Sequence, residues 1–412
     1  MSIINRPVLR VWRNPAYALF MCGGLPSYLT SWMQRVGMGW LAWELTHSTT
    51  WLGIVAAADL APMIFLAAFA GAVTDRHDAL RQLRLTQALL LTQALLLAIL
   101  QTLGLLNIVL LIVLALYSGF VYPFHQTARH TVVARTIPRE DFAPAIASDS
   151  ALFQASRFVG PSIAGLIIPA FGVGSTFMAH AAGSAIFCVA LHVLRLPKRD
   201  LILRSRGSLW QDVVESLAYV RGHLGIRSLY WMLSMGCIFL RPAQDMFPAF
   251  ADDVFGGGAT MLAWLVSATG VGALVSAGWI ATRGHITGLS DVALGGYALF
   301  SLSILAFVAT NWVPAGVVFA GLGGFALNTM STSTQTLAQS CVTNELRGRV
   351  MGLYSLIWRG MPAMGALMAG LSAEYFGIRA TFAAAALLCL ATWFIAAPQR
   401  GAIRASIEHP HD

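Results

Sequence analysis

Long apolar runs separated by short polar bridges organise this chain from end to end. Twelve runs are long enough to read as spans, over roughly 16–43, 50–73, 83–104, 106–124, 143–170, 174–195, 228–250, 259–282, 289–310, 312–337, 348–375 and 378–397. Each matches the length of about 20 residues that a helix needs to cross a hydrocarbon core. The runs are continuous and lack the strict alternation of a barrel strand, so the pattern predicts helices that satisfy their own backbone groups in lipid. Residues 1–13 are polar and basic, and the first apolar run is too long for a signal-peptide core, so no cleavable leader is expected.

The second regularity is internal. The segment RTIPREDFAPAIASDSALFQASRFVGPSIAGLIIPAFG lies over QSCVTNELRGRVMGLYSLIWRGMPAMGALMAGLSAEYFG at a constant offset of 205 residues. Glu140 falls on Glu345, Ser150 on Ser355, Phe153 on Trp358, Gly160 on Gly365, Gly165 on Gly370 and Gly172 on Gly377. A duplicated six-helix unit explains the offset and predicts an all-α membrane protein of twelve transmembrane helices in two pseudo-symmetric six-helix bundles. The expected domains are an N-terminal bundle at 1–195, a linker at 196–227 and a C-terminal bundle at 228–412. Within the linker, Leu209, Val213, Leu217, Val220 and Leu224 share one helical face, which predicts an amphipathic helix along the cytoplasmic interface.

Composition agrees with this reading. The 412 residues are 57% hydrophobic and 11% charged, where soluble domains carry about 25% charge. The formal net charge is +8, but its distribution points away from nucleic acid. Most of the 26 basic residues fall in the termini and alternate loops, including Arg76, Arg81, Arg84, Arg129, Arg135, Arg283, Arg347, Arg349 and Arg404. The opposite loops hold Arg379. By the positive-inside rule both termini are expected in the cytoplasm. The five cysteines, Cys22, Cys188, Cys237, Cys341 and Cys389, have neither disulfide nor zinc spacing and read as packing residues.

The bridge between the second and third spans reads GAVTDRHDALRQLR, a dense cluster of charge with glycine at its front. Gly71 permits close helix approach, and Asp75 can accept hydrogen bonds from a helix N-terminus, where the macrodipole favours negative charge. This bridge resembles the G-x-x-x-D-R-x-x-R/K loop of the major facilitator superfamily, through Gly71, Asp75, Arg76 and Arg81. Asp78 stands where that family often has glycine. The segments at 32–49, 147–166 and 344–355 resemble the branch of bacterial drug and siderophore exporters related to the enterobactin exporter, the transmembrane secretion effectors. The resemblance implies that Asp75 meets the start of helix 11 near Glu345–Arg349 and ties the halves at the cytoplasmic face. It also aligns Ala147, Ser156, Gly160, Pro161, Ala164 and Gly165 with the glycine stripe that antiporters of this superfamily carry on helix 5. Small residues there permit tight packing, and the proline bends the helix.

Ionisable residues inside spans are costly, which makes them functional candidates. Arg35 and Asp59 are each twelve residues from the turn at His47, so a pair at mid-membrane depth is expected, with Asp59 the leading proton site. Arg241 and Asp245 share a face of helix 7. Asp149 and Arg157 lie on helix 5, and Arg359 on helix 11. For each, the structural alternative is an ion pair that holds helices in register. Polar residues on helix 10 (Asn328, Ser331, Thr334, Gln335) and on helix 4 (Tyr117, Tyr122, Gln126) are expected to line a cavity, while lone His180 and His192 read as packing donors. The chain shows no Walker A loop, nucleophile elbow, metal-ligand spacing or dinucleotide fingerprint, so neither an enzyme nor a cofactor is expected. The expectation is a monomeric secondary transporter of the bacterial inner membrane that exports a small drug- or siderophore-like molecule against protons. An uptake symporter or lipid flippase on the same fold is the rival. A non-transporting receptor or scaffold would need a sensory domain or long tail, and the sequence has neither.

Overall fold

The computed structural model describes residues 7–138, 141–196, 217–283, 286–342 and 344–408. The described residues are helical, joined by short turns. In chain order they form α1 (Pro7–Trp12), α2 (Pro15–Thr46), α3 (Thr49–Arg76), α4 (Ala79–Thr102), α5 (Ile108–Arg135), α6 (Phe142–Phe171) and α7 (Gly174–Val193). After the linker come α8 (Leu224–Met235), α9 (Gly258–Arg283), α10 (Leu289–Ala309), α11 (Val313–Cys341), α12 (Asn344–Phe376), α13 (Ile378–Ala396) and α14 (Arg400–Glu408). Between α8 and α9 the chain continues through two π-helical turns, Gly236–Leu240 and Phe250–Val254, with short α-turns between them. Nine of the described helices are long and apolar enough to cross a membrane.

Local sequence explains where the helices start and stop. Asn14 Oδ1 accepts from the Ala16 and Tyr17 N–H groups at the start of α2, and Asn107 Oδ1 accepts from Leu110 N at the start of α5. Gly172 and Gly377, the duplicated pair that ends α6 and α12, have φ 73° with ψ 167° and φ 81° with ψ 148°. That backbone region is essentially restricted to glycine. The repeat is therefore written in backbone conformation as well as in residue type.

The chain divides into two compact units, Met1–Leu41 with Phe65–Ser205 and Ala42–Ile64 with Arg206–Asp412. Residues 42–64, the end of α2 and the first half of α3, go with the second unit. In unit 1, Tyr17, Phe20, Leu83, Val132, Phe187 and Leu191 pack a core between α2, α4, α5 and α7. Gly160 seats α6 against α2: a Cβ there would overlap the Leu29 carbonyl oxygen and lie 2.9 Å from Trp32 Cβ. In unit 2 the equivalent Gly365 seats α12 against the first helix of that half, where a Cβ would overlap the Ile238 carbonyl and lie 2.8 Å from Pro242 Cγ. The same glycine does the same packing in both halves.

Two expectations are corrected here. The fourth span runs on to Arg135, so Arg129 is a buried helical residue and not a loop cation. Among the described residues no atom lies within 4 Å of where a Gly71 Cβ would stand, so no close helix approach there calls for that glycine. The basic tail forms α14, whose Ile403 and Ile407 are buried against Leu229, Leu289, Ala293 and Leu337. Its Glu408 accepts from Gly288 N, Ser290 N and Ser290 Oγ at 2.6, 3.0 and 2.6 Å, capping α10. The amphipathic linker helix lies mostly outside the described residues, of which 217–222 are helical.

Candidate functional site

Unit 1 holds a fully buried ion pair. Arg129 on α5 donates from Nη2 to Asp149 Oδ1 on α6 at 3.0 Å, and the two side chains are 1% and 6% exposed. The Arg129 guanidinium carbon lies 3.8 Å from the Tyr28 ring centroid, 4.7 Å from Phe20 and 5.2 Å from Phe187. Gly24 makes room for it: a Cβ at that position would stand 2.8 Å from Nη1. Arg129 Nε and Nη1 donate to no hydrogen-bond acceptor among the described residues and face these rings, a cation–π arrangement.

Sequence reading found Asp149 but missed Arg129. The available signal was spacing: Arg129, Val132 and Val133 stand at i, i+3 and i+4, and both valines are buried.

Around this pair the helices of unit 1 are tied by buried amides and imidazoles. Gln34 donates to Gln93 at 3.0 Å, Gln93 to the Leu114 carbonyl at 3.2 Å, and Gln87 to the Ser184 carbonyl at 3.3 Å. His180 meets Thr30 at 3.2 Å and His125 meets Thr86 at 3.4 Å. His192 Nδ1 lies 2.8 Å from the Cys188 carbonyl oxygen of its own helix. Gln126 bonds His130 at 3.0 Å and is buried, whereas Tyr117 and Tyr122 are half-buried. Among the described residues no group of three or more His, Cys, Asp or Glu is placed to hold a metal.

A second cluster in unit 1 joins Arg35 on α2 and Arg157 on α6. Each guanidinium carbon lies 5.8 Å from the centroid of Trp32. Phe153 packs edge-on against Trp32 and Tyr28, with centroids 6.0 and 5.1 Å apart. Both arginines are half-buried. Asp59 is also half-buried, but it belongs to the 42–64 segment of unit 2 while Arg35 belongs to unit 1.

Unit 2 repeats the arginine–aromatic theme. Arg241, 206 residues after Arg35, lies 4.7 Å from the Trp358 centroid and donates to the Trp358 carbonyl. Trp358 is the duplicate of Phe153, and Tyr354 stacks on it at 6.4 Å. Tyr354 in turn donates to the Ser331 carbonyl at 3.1 Å. Asp245 ends the short turn between the two π-helical segments, and Arg359 is half-buried on α12. Part of the α11 polar belt is used within the protein: Asn328 donates to Ser276 at 3.2 Å, and Ser276 meets Thr329 at 2.7 Å. Asn328, Ser331 and Thr334 are buried, and Gln335 is half-buried. That belt therefore binds α9 to α11 as well as offering polar groups.

At the bridge between α3 and α4, Asp78 is the N-cap of α4, accepting from Arg81 N at 2.8 Å, with Arg135 Nη1 at 3.4 Å from its other oxygen. Burial raises its pKa, but the Arg81 N–H and the Arg135 charge outweigh burial and hold the carboxyl below its ordinary value. Arg84 donates to the Leu191 and Leu194 carbonyls at 2.8 and 2.9 Å, satisfying the C-terminus of α7. Asp75, Arg76 and Arg81 are exposed.

At the opposite end, unit 2 closes α3 onto α12. Glu374 accepts from Ser48 Oγ, Thr49 Oγ1 and Thr50 N at 2.9, 3.1 and 3.3 Å, so a carboxylate caps the α3 N-terminus. Gly53 and Gly370 meet directly: a Cβ on Gly370 would lie 2.5 Å from the Thr49 carbonyl oxygen and 3.0 Å from Gly53 Cα. Trp43 Nε1 donates to Asp252 at 2.9 Å, and His47 turns the chain at φ 46°.

The comparisons agree with this architecture. Among curated relatives, the staphyloferrin A transporter of Staphylococcus aureus is 23% identical over 86% of this chain and 89% of its own. The multidrug efflux pump Tap of Mycolicibacterium fortuitum is 25% identical over 85% of this chain and 88% of its own. The crystal structure of the nucleoside transporter NupG superposes with TM-score 0.72 at 14% identity, covering 94% of this chain and 99% of that one. The human organic anion transporter MFSD10 superposes with TM-score 0.66 at 14% identity, covering 95% and 100%. The transmembrane secretion effector family matches residues 9–405, and this chain, a multi-pass transport protein of the major facilitator type, belongs to that family.

Proposed function

We propose that the protein is a proton-coupled exporter of a small drug- or siderophore-like molecule, working by alternating access between two six-helix halves of a twelve-helix fold. Both termini face the cytoplasm of a bacterial inner membrane, the working unit is a monomer, and Asp75 latches the halves at the cytoplasmic face. The observation that carries proton coupling is Asp149, a carboxylate buried in an apolar bundle and held by one cation, Arg129. A carboxylate so placed either stays ionised against Arg129 or takes a proton when that contact loosens, and such an exchange links proton uptake to helix movement. Asp59, half-buried, is the second carboxylate in this reading.

The test uses everted membrane vesicles carrying the chain, with an imposed acid interior and a cell metabolite extract outside, read by mass spectrometry. Accumulation abolished by a protonophore, and lost in Asp149→Asn vesicles that hold wild-type amounts of the folded chain, supports the proposal. Accumulation indifferent to the protonophore overturns proton coupling, and accumulation confined to right-side-out vesicles makes the protein an importer. Asp75→Asn should slow transport while leaving insertion intact, and an unchanged rate refutes the latch.

A further inference from the structure

Asp149 lies deep in unit 1, and a proton that reaches it from the end where α4 turns into α5 has to cross most of that bundle. Its partner Arg129 stands about 22 Å along α5 from Leu114, at a rise of 1.5 Å per residue. A column of polar side chains occupies that length. From the ion pair toward the α4–α5 turn, His125 meets Thr86, Gln87 reaches the Ser184 carbonyl and His180 meets Thr30. Gln34 then bonds Gln93, which donates to the Leu114 carbonyl. Apart from Thr30, which is half-buried, these side chains are buried. The column is rich in acceptors. Thr30 Oγ1 donates to the Pro26 carbonyl at 2.7 Å, and Thr86 Oγ1 to the Gln82 carbonyl at 2.9 Å. With each hydroxyl proton spent there, the imidazole contact runs from Nδ1–H to the hydroxyl oxygen, and in the neutral ring Nε2 carries a lone pair. Gln34 Oε1, Gln87 Oε1 and Ser184 Oγ are buried and meet no hydrogen-bond partner among the described residues. Gln87 and Ser184 are already joined at 3.3 Å, so their unmet oxygens share one neighbourhood. Unmet buried oxygens are costly, and water, with two protons to give, satisfies several at once.

We infer that this column binds a chain of internal water, and that protons travel along it between the α4–α5 end and Asp149. This rests on the proton-coupling reading above and names the residues that serve it. In the topology proposed there, that end faces outside, the side whose protons drive export. Each water that receives a proton passes another one on, so one proton enters, one arrives at the Asp149 carboxylate and no charge stays in the column. Gln34, Gln87 and Ser184 are positioning residues: they hold the waters and keep their own protons. Their acceptors also suit the traveller, because oxygen lone pairs stabilise an excess proton and donors would oppose it. The His125–Thr86 and His180–Thr30 contacts hold α4 to α5 and α2 to α7 around the chain of water.

The experiment measures the initial rate of accumulation in everted vesicles, per amount of folded chain, in H2O and in D2O. The variants are Ser184→Ala, which removes a hydroxyl with no protein partner among the described residues, and Gln87→Met, which keeps the side-chain length and removes the amide. Thermal denaturation of each purified chain accompanies the transport assay. The expected result is a rate lowered about tenfold or more in both variants, the effect of about 1.4 kcal/mol on a barrier. The melting temperature of Ser184→Ala should stay at the wild-type value. Proton delivery then limits the cycle, so D2O should slow the variants by a larger factor than it slows the wild type. The inference is overturned if both variants transport at the wild-type rate. It is overturned equally if their slowing follows a loss of folded stability and the D2O factor is that of the wild type, which is the signature of packing alone. The wild type separates the two readings. Protonophore-sensitive accumulation with unaffected variants discards the water path and leaves proton coupling standing, whereas wild-type accumulation indifferent to the protonophore removes the coupling and the path with it.

Discussion

Removing one member of the Arg129–Asp149 pair strands the other in a place where water does not reach it. Both side chains are almost completely buried, so solvent screening gives little relief. Breaking a buried pair from one side costs roughly 3–5 kcal/mol, whereas replacing both partners by apolar groups of similar volume is often neutral. Asp149→Asn and Arg129→Met should therefore each lower the melting temperature of the purified chain sharply. Arg129→Met adds a packing loss, because the guanidinium sits against Tyr28, Phe20 and Phe187. The double variant Arg129→Met with Asp149→Leu should recover most of that loss, and the non-additivity should amount to about 3 kcal/mol or more. The assay is a double-mutant cycle on thermal denaturation in detergent, alongside transport in everted vesicles. Single losses below about 1 kcal/mol, or a double variant as unstable as the sum of the singles, would refute the reasoning on stability. A stable double variant that still accumulates substrate against its gradient would show that Asp149 carries no obligatory proton.

Three further outcomes are open to direct measurement. Gly370→Ala puts a methyl against the α3 backbone, which no rotamer change relieves; overpacking of about 1–3 kcal/mol should loosen the α3–α12 contact. Labelling of Ser48→Cys by a membrane-impermeant thiol reagent should then be faster, and an unchanged rate counts against that contact as the closing element. Asp78→Ala removes the N-cap of α4 and should cost about 0.5–2 kcal/mol. Because the folded pKa of Asp78 lies below its ordinary 3.8, its contribution is complete above that value and is lost as pH falls through the folded one, so wild type and variant should converge in stability only in that acid range. Cysteines engineered at residues 47, 105 and 311 should label from outside intact cells, and those at 78, 137 and 205 only after permeabilisation; a reversed pattern in either half refutes the assigned topology.

The sequence by itself determined the helices, because an apolar run of spanning length has few alternatives in lipid. It also determined the repeat down to the backbone. Gly172 and Gly377 take the same glycine-only conformation, and Gly160 and Gly365 admit the same helix pair. These features are local or close to local, and residue type alone constrains them. Pairing across helices was not legible. Arg129 lies past the end of an apolar run beside Arg135 and reads as a loop cation, and only the packing of α5 against α2, α6 and α7 takes it out of water and brings it to Asp149. Likewise, nothing in the order of residues says that 42–64 packs with the second unit through Gly53, Gly370 and Glu374. Periodicity reports which face of a helix is apolar, but the identity of the neighbour that covers it is set by the whole set of packed helices. Charge pairing, decided over a few ångströms, is settled only there.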